Sequence, residues 1–210
     1  MELNRSDIPL SSFYKVIMGS VIPRPIAWIS TLNAAGVPNL APYSFFNIVC
    51  QNPPTILFCP GVRGTDGNLK DSYVNVKENK EFVVNIVSEE LAESMNKTAT
   101  ELPTEVDEFE FAGLTAAAST LISAPRVAES PVSFECQVSQ IIDVGDGKLG
   151  SGWVVLGEVI HIHVADEVLL PNFRIDLDKL NPIGRLSGPS YARTTDRFEL
   201  RREASQVLPR

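Results

Sequence analysis

Residues 25–49 read PIAWISTLNAAGVPNLAPYSFFNIV, and how this stretch divides decides the fold. The run PRPIAWISTL (23–32) is rich in β-branched and aromatic residues and predicts a strand. NAAG (33–36) predicts a turn, and VPNLAPYSFFNIV (37–49) a second strand. Pro38 and Pro42 place that second strand at an edge or a bulge, because proline has no ladder donor. Ser30, Thr31, Tyr43, Ser44 and Asn47 interrupt strands that are otherwise apolar. Buried polar groups need partners, so as a set these five point to a ligand; the alternative is that Ser30 and Thr31 begin a turn and Ser44 fills an edge strand.

The flanking chain adds more strands than helices. LSSFYKVIM (10–18) reads as a short opening helix and TILFCP (55–60) as a third strand. NLKDSYVNVKENK (68–80) carries Leu69, Tyr73 and Val76 at helical spacing. EFVVNIV (81–87) is a strand, and SEELAESMNKTA (88–99) opens with Ser88 and acids, as a helix N-terminus favours. Residues 100–125 read as irregular, and the acids at 89–93 and 105–110 as solvated faces. VSFECQVSQIIDV (132–144) and GWVVLGEVIHIHV (152–164) are long strands joined by a GDGKLGSG hairpin loop. Strands that do not alternate regularly with helices predict a mostly antiparallel β-barrel with peripheral helices.

Bulk properties exclude several classes. The 210 residues suit one domain spanning 1–210, and 44% hydrophobic with 21% charged residues suits a globular chain. A formal charge of −8 disfavours nucleic-acid binding. The N-terminus lacks the apolar core of a signal peptide, and no apolar run is long enough to span a membrane. Three cysteines without a C-x-x-C pair suit a reducing, cytoplasmic location.

Two motifs fail on context. Gly145–Gly150 matches G-x-G-x-x-G, but a strand follows it rather than the helix that a dinucleotide site needs. His161 and His163 share one strand face, yet no third ligand stands near them in sequence, so no metal site is assigned. With only two histidines and no G-x-S-x-G elbow, a Ser-His-Asp hydrolase has few options.

The stretch RPIAWISTLNAAGVPNLAPYSFFNIVCQNPPTILF resembles the flavin reductase-like family of FMN-binding split-barrel proteins, which includes flavoredoxin. KDSYVNVKENKEFVVNIV, GEVIHIHVADEVL and IGRLSGPSYARTTDRFEL resemble later pieces of the same family, in the same order. The resemblance implies a six-stranded antiparallel split barrel and a homodimer with FMN near the interface. It implies hydride transfer from NADH or NADPH to FMN N5, or electron supply by a redox protein. A non-catalytic FMN-binding, storage or sensor protein is the alternative.

FMN joins an apolar ring, a polyhydroxyl chain and a phosphate, so its site needs apolar surface, polar partners and positive charge. On that reading Ser30 and Thr31 bond the ring edge or ribityl chain, and Ser44 and Asn47 serve ribityl or phosphate oxygens. Tyr43 and Phe45 share a face and flank the ring, while Phe46 points into the core. Lys70 and Ser72 hold the phosphate at a helix N-terminus that Asp71 caps. Arg24, Arg63 and Arg185 are further cations, with Arg24 and Lys70 raised most by the resemblance. The flavin carries the chemistry, so no catalytic side chain is expected.

Overall fold

The computed structural model describes residues 1–204 and 206. Its main sheet has seven strands: β1 (Ala27–Leu32), β2 (Pro38–Tyr43), β3 (Phe46–Gln51), β4 (Pro54–Phe58), β5 (Glu81–Ile86), β6 (Val132–Val144) and β7 (Gly152–Val164). Their spatial order is β2-β1-β5-β6-β7-β4-β3, and every pairing is antiparallel. The two edge strands, β2 and β3, are joined only by Ser44 and Phe45. Two residues span at most about 7 Å, so both edges must meet at this corner. The sheet is therefore curled into a barrel that is split away from it, and Cys59 N–H donates to the Phe45 carbonyl across the corner at 2.9 Å.

The expected antiparallel barrel is thus the architecture seen, with one strand more than six. The stretch 37–49 forms two strands rather than one, because the chain bends at Ser44–Phe45. The bend also corrects a face assignment. Tyr43 points into the core at 7% exposure, whereas Phe45 is 41% exposed, so the two rings do not flank one site. Phe46 packs against the core as its alternation required.

The barrel interior is apolar. Ala27, Ile29, Ile56, Val84, Cys136 and Val155 surround the aromatic stack of Tyr43, Phe58 and Phe82. Ring centroids lie 5.2 Å apart for Tyr43–Phe58 and 5.0 Å for Phe58–Phe82, both tilted toward edge contact. Burying one such ring contributes about 1.5–3 kcal/mol. Gly157 on β7 makes room for it: a Cβ there would meet Phe82 Cζ at 2.5 Å.

The outer face of β1 and β2 carries a second core. Trp28 and Leu40 pack there against Met95 and Phe109. Met95 lies on α3 (Ala92–Lys97) and Phe109 on the short helix α4 (Glu108–Ala112). Trp28 Nε1 donates to Thr98 Oγ1 at 2.8 Å, which fixes the segment after α3 on the sheet. The short helix α4 interrupts the stretch 100–125 that composition made irregular. Asp107 caps it by accepting from Phe109 N–H at 2.7 Å, and Gly113 ends it at φ +72°.

Two helices remain. α1 (Leu10–Ser20) has no buried residue, although it carries Leu10, Tyr14, Val16 and Ile17. α2 (Asp71–Asn79) packs on β1 and β2 with Asn75 and Val76 buried, while its Tyr73 ring stacks on Trp153 of β7 at 3.9 Å between centroids. The expected GDGKLGSG hairpin joins β6 to β7, with Gly145, Gly147 and Gly150 all at positive φ. The C-terminal region adds a small hairpin of β8 (Ile183–Arg185) and β9 (Tyr191–Arg193).

Candidate functional site

Two adjoining cavities, of about 240 and 250 Å³, share Pro42 and Ala99 as a common wall. Together they form one groove alongside β2. Its first half is lined by Asn39 and Tyr43 of β2, by Arg63, Lys70 and Ser72 around the start of α2, and by residues 98–102 and Glu108. Its second half runs to Ser44, Arg185, Tyr191 and Asn96. Of the residues singled out in sequence, the fold brings Tyr43, Ser44, Arg63, Lys70, Ser72 and Arg185 into this groove. Arg24, Ser30, Thr31, Phe45 and Asn47 do not line it.

The reasons are local. Arg24 is 6% exposed, and its guanidinium makes four hydrogen bonds to the protein. It donates to the carbonyls of Met18, Val21 and Leu186 at 2.7–3.0 Å and to Ser44 Oγ at 3.2 Å. Arg24 thus clamps α1, the β2–β3 corner and the tail together. Ser30 donates to the Pro125 carbonyl at 2.5 Å and accepts from Asn85 at 3.1 Å. Thr31 donates to Asn39 Oδ1 at 3.3 Å and accepts from Asn75 at 2.9 Å. Both hydroxyls are completely buried and spent on protein. Asn47 is exposed on β3, its side-chain oxygen turned to the Ile48 N–H at 2.8 Å.

The start of α2 is a candidate anion seat. Lys70 is its N-cap residue, and no side chain caps the helix. Asp71 was expected to do so, but its carboxylate is instead taken by Arg63 and by Thr104 Oγ1 at 2.9 Å. The first amides of α2 thus lack a side-chain acceptor at the end of a nine-residue helix, where partial positive charge collects. Lys70 Nζ stands 3.5 Å from Glu101 and remains partly exposed. The Thr65 hydroxyl, then Gly64 N–H and Lys70, hold the Glu101 carboxyl below its ordinary range.

Beneath this seat runs a buried polar chain. Ser72 donates to Asn39 Oδ1 at 2.7 Å, and Asn39 Nδ2 donates to Glu108 Oε1 at 2.9 Å. Glu108 Oε2 accepts from Leu40 N–H at 3.1 Å. Burial pushes the Glu108 carboxyl up to about 7, with Asp71 adding to the rise and its hydrogen bonds opposing it. Sequence reasoning missed Glu108 by grouping it with solvated acids. The signal for its helix was the Asp107–Gly113 bracket, a cap and a left-handed stop around five residues.

Tyr43 supplies the test of fit. Its hydroxyl is buried with no hydrogen-bond partner among the described residues. Burial pushes the phenol well above its ordinary range, and the nearby Ser72 hydroxyl offsets part of that rise. A buried hydroxyl without a partner costs about 1–3 kcal/mol unless a ligand completes it. An uncapped helix start, a lysine, a serine and this hydroxyl at one end of an elongated groove fit a phosphorylated, polyhydroxylated cofactor. At the other end, Arg185 lies over the Tyr191 ring at 4.6 Å and donates to the Gly188 carbonyl at 2.5 Å.

On β7, His161 and His163 share a face as the alternation required, and the fold sets Glu135 of β6 opposite them. That residue lies 28 positions before His163, so sequence proximity could not reveal it.

The chain covers 90% of its own length and 94% of an uncharacterized protein of Aquifex aeolicus at 43% identity. The structure of nitrilotriacetate monooxygenase component B from Bacillus cereus matches it with a TM-score of 0.89 and 37% identity, over 95% of this chain and 98% of that one. Pseudomonas fluorescens 2-nitrobenzoate 2-nitroreductase matches with a TM-score of 0.85 and 34% identity, over 100% and 98% of the two chains. The flavin reductase-like domain model matches residues 18–178, and the chain belongs to that family.

Proposed function

We propose that this chain is an FMN-dependent oxidoreductase of the NAD(P)H:flavin reductase type, working in the cytoplasm as one domain spanning 1–210. The observation that carries the reading is the uncapped start of α2, with Lys70 and the unpartnered Tyr43 hydroxyl, at one end of a groove in a flavin reductase-like chain. The two solved relatives bear the names of a monooxygenase component and a nitroreductase, and both names denote redox chemistry.

Bound FMN supplies a hydride acceptor at its N5, which NADH or NADPH, or a redox protein, would serve. The protein contributes binding and orientation. Lys70 and the first amides of α2 hold the phosphate, with Lys70 exchanging Glu101 for the ligand. Tyr43 donates its hydroxyl proton to a cofactor oxygen in the first half of the groove. Ser72 and Asn39 hold the groove floor in place, because Ser72 already donates to Asn39 Oδ1 and Asn39 Nδ2 to Glu108. Ser44 and Arg185 offer polar contacts at the far end. None of these groups needs to transfer a proton.

The homodimer belongs to the same reading. α1 buries none of its own apolar side chains, and the edge strand β3 leaves Ile48 76% and Val49 49% exposed. Such apolar surface on two elements suits cover by a second copy.

The test is an anaerobic titration of the FMN-loaded protein with NADH and then NADPH, read at the oxidised flavin band. Rapid bleaching with either supports the reductase. A protein that holds FMN tightly but bleaches with neither is a binder or takes its electrons from a protein, and one that holds no FMN overturns the cofactor assignment.

A further inference from the structure

We propose that Glu135, His161 and His163 form a binding site for a divalent transition-metal ion. The three side chains come from adjacent antiparallel strands, β6 and β7, and stand on one face of the sheet. Glu135 is directly opposite His161 in the register, and His163 follows two residues on. One ligand atom from each lies within 4.8 Å of the others. The register of the two strands shifts between Glu135 and Cys136, a bulge that re-aims side chains at this point.

The carboxylate is prepared for a ligand's role. Glu135 is completely buried, and its two oxygens accept from Thr120 N–H at 2.6 Å and Leu121 N–H at 2.7 Å. Each carboxylate oxygen has a second lone pair, so these bonds leave capacity for a metal. Backbone donors of this kind orient a ligating group in the way that outer partners do around known metal centres. His163 Nε2 already meets Glu135 Oε1 at 2.6 Å, and the two imidazoles sit edge to face with centroids 4.8 Å apart.

An ordinary ion pair explains His163 beside Glu135, but it gives His161 no part. A metal uses all three. For ligands about 2.0–2.1 Å from a tetrahedral ion, the donor atoms must spread to roughly 3.4 Å from one another. The His163–Glu135 contact therefore opens and the widest pair closes, both within the reach of imidazole rotamers. The His163 side chain keeps 22% exposure, so water or another small ligand can take the open position. Two imidazoles and one carboxylate select zinc, cobalt or nickel over magnesium or calcium, which prefer all-oxygen sets. Bound metal would hold Glu135 and with it the Thr120–Leu121 backbone, clasping the loop before β6 to the sheet.

The experiment is titration of the full-length, tag-free protein with Co²⁺ alone, followed by its visible absorption and by calorimetry. One Co²⁺ per chain is expected, with affinity falling at least tenfold in each of His161→Ala and His163→Ala. A hundredfold excess of Mg²⁺ should not displace it. Glu135→Gln also disturbs the 120–121 backbone, so the two histidine variants, both at partly exposed positions, decide the matter. Absent saturable binding, binding unchanged in either histidine variant, or displacement by Mg²⁺ overturns the proposal. None of these readings depends on flavin.

Discussion

Asn39 and Glu108 are joined beneath the groove: the Asn39 amide donates to Glu108 Oε1 at 2.9 Å, and its oxygen accepts from Ser72. The pair ties α4 to β2 and α2 in one step. It also places a carboxyl that titrates near neutrality next to the helix start that would receive a phosphate.

Glu108 should make stability pH-dependent in a predictable direction. Its folded value stands at about 7, above the ordinary 4.5, chiefly through burial. Between those values the folded chain holds a proton that the unfolded chain has released, so stability is full below the lower value and is lost as pH rises through the upper one. The wild type should lose about 1–2 kcal/mol by this route between pH 5 and 8, after screening. In Glu108→Gln that slope should vanish. Urea midpoints at several pH values measure it, and parallel slopes in both proteins would assign the effect to another group.

Lys70→Ala should weaken FMN binding about tenfold, equivalent to about 1.4 kcal/mol, while riboflavin, which lacks the phosphate, should bind as before. Fluorescence titration of both flavins separates a phosphate contact from general damage. Equal losses for the two would move the phosphate elsewhere. Ser72→Ala should in addition cost about 1 kcal/mol of stability, since Ser72 donates to Asn39.

Arg24→Ala should unfasten the corner rather than the cofactor. Its guanidinium holds three carbonyls and Ser44, so removal leaves buried acceptors unpaired at a cost of about 2–4 kcal/mol. Chemical denaturation measures the loss, and limited proteolysis should show earlier cleavage in the tail after Leu186. Wild-type stability combined with lost FMN binding would instead make Arg24 a ligand.

Gly157→Ala should destabilise the barrel although it adds one methyl group. The new Cβ would lie 2.5 Å from Phe82 Cζ and 3.3 Å from Cys136 Cβ. Overpacking of this kind costs about 1–3 kcal/mol, and Phe82→Leu in the same chain should recover part of it by opening space. Thermal melts of the single and double variants test this coupling.

Light scattering should give a mass near twice 23.0 kDa for the wild type. Ile48→Asp should shift it toward the monomer, because the carboxylate would be buried without a partner. A monomeric wild type would remove the homodimer from the proposal.

Much of the fold was legible because periodicity and turn chemistry are local. The β-branched and aromatic content around 27–32, the Gly-rich turn at 145–150 and the helical spacing of Tyr73 and Val76 each need only a few neighbouring residues. The break at Ser44–Phe45 was not legible, since both flanks are good strand sequence and only closure of the sheet demands a corner there. α4 escaped because five residues are too few for a periodic signal.

The sequence by itself determined the antiparallel barrel, its family likeness, and the polar residues that ask for partners. Only the tertiary structure decided who those partners are. Ser30 finds Pro125 at a separation of 95 positions, Asn39 finds Glu108 at 69 and Thr31 finds Asn75 at 44. A hydroxyl that meets a protein acceptor and one that awaits a ligand are the same residue in sequence. They differ only in what the fold brings within about 3 Å, which is why Ser30 became core and Tyr43 was left facing the groove.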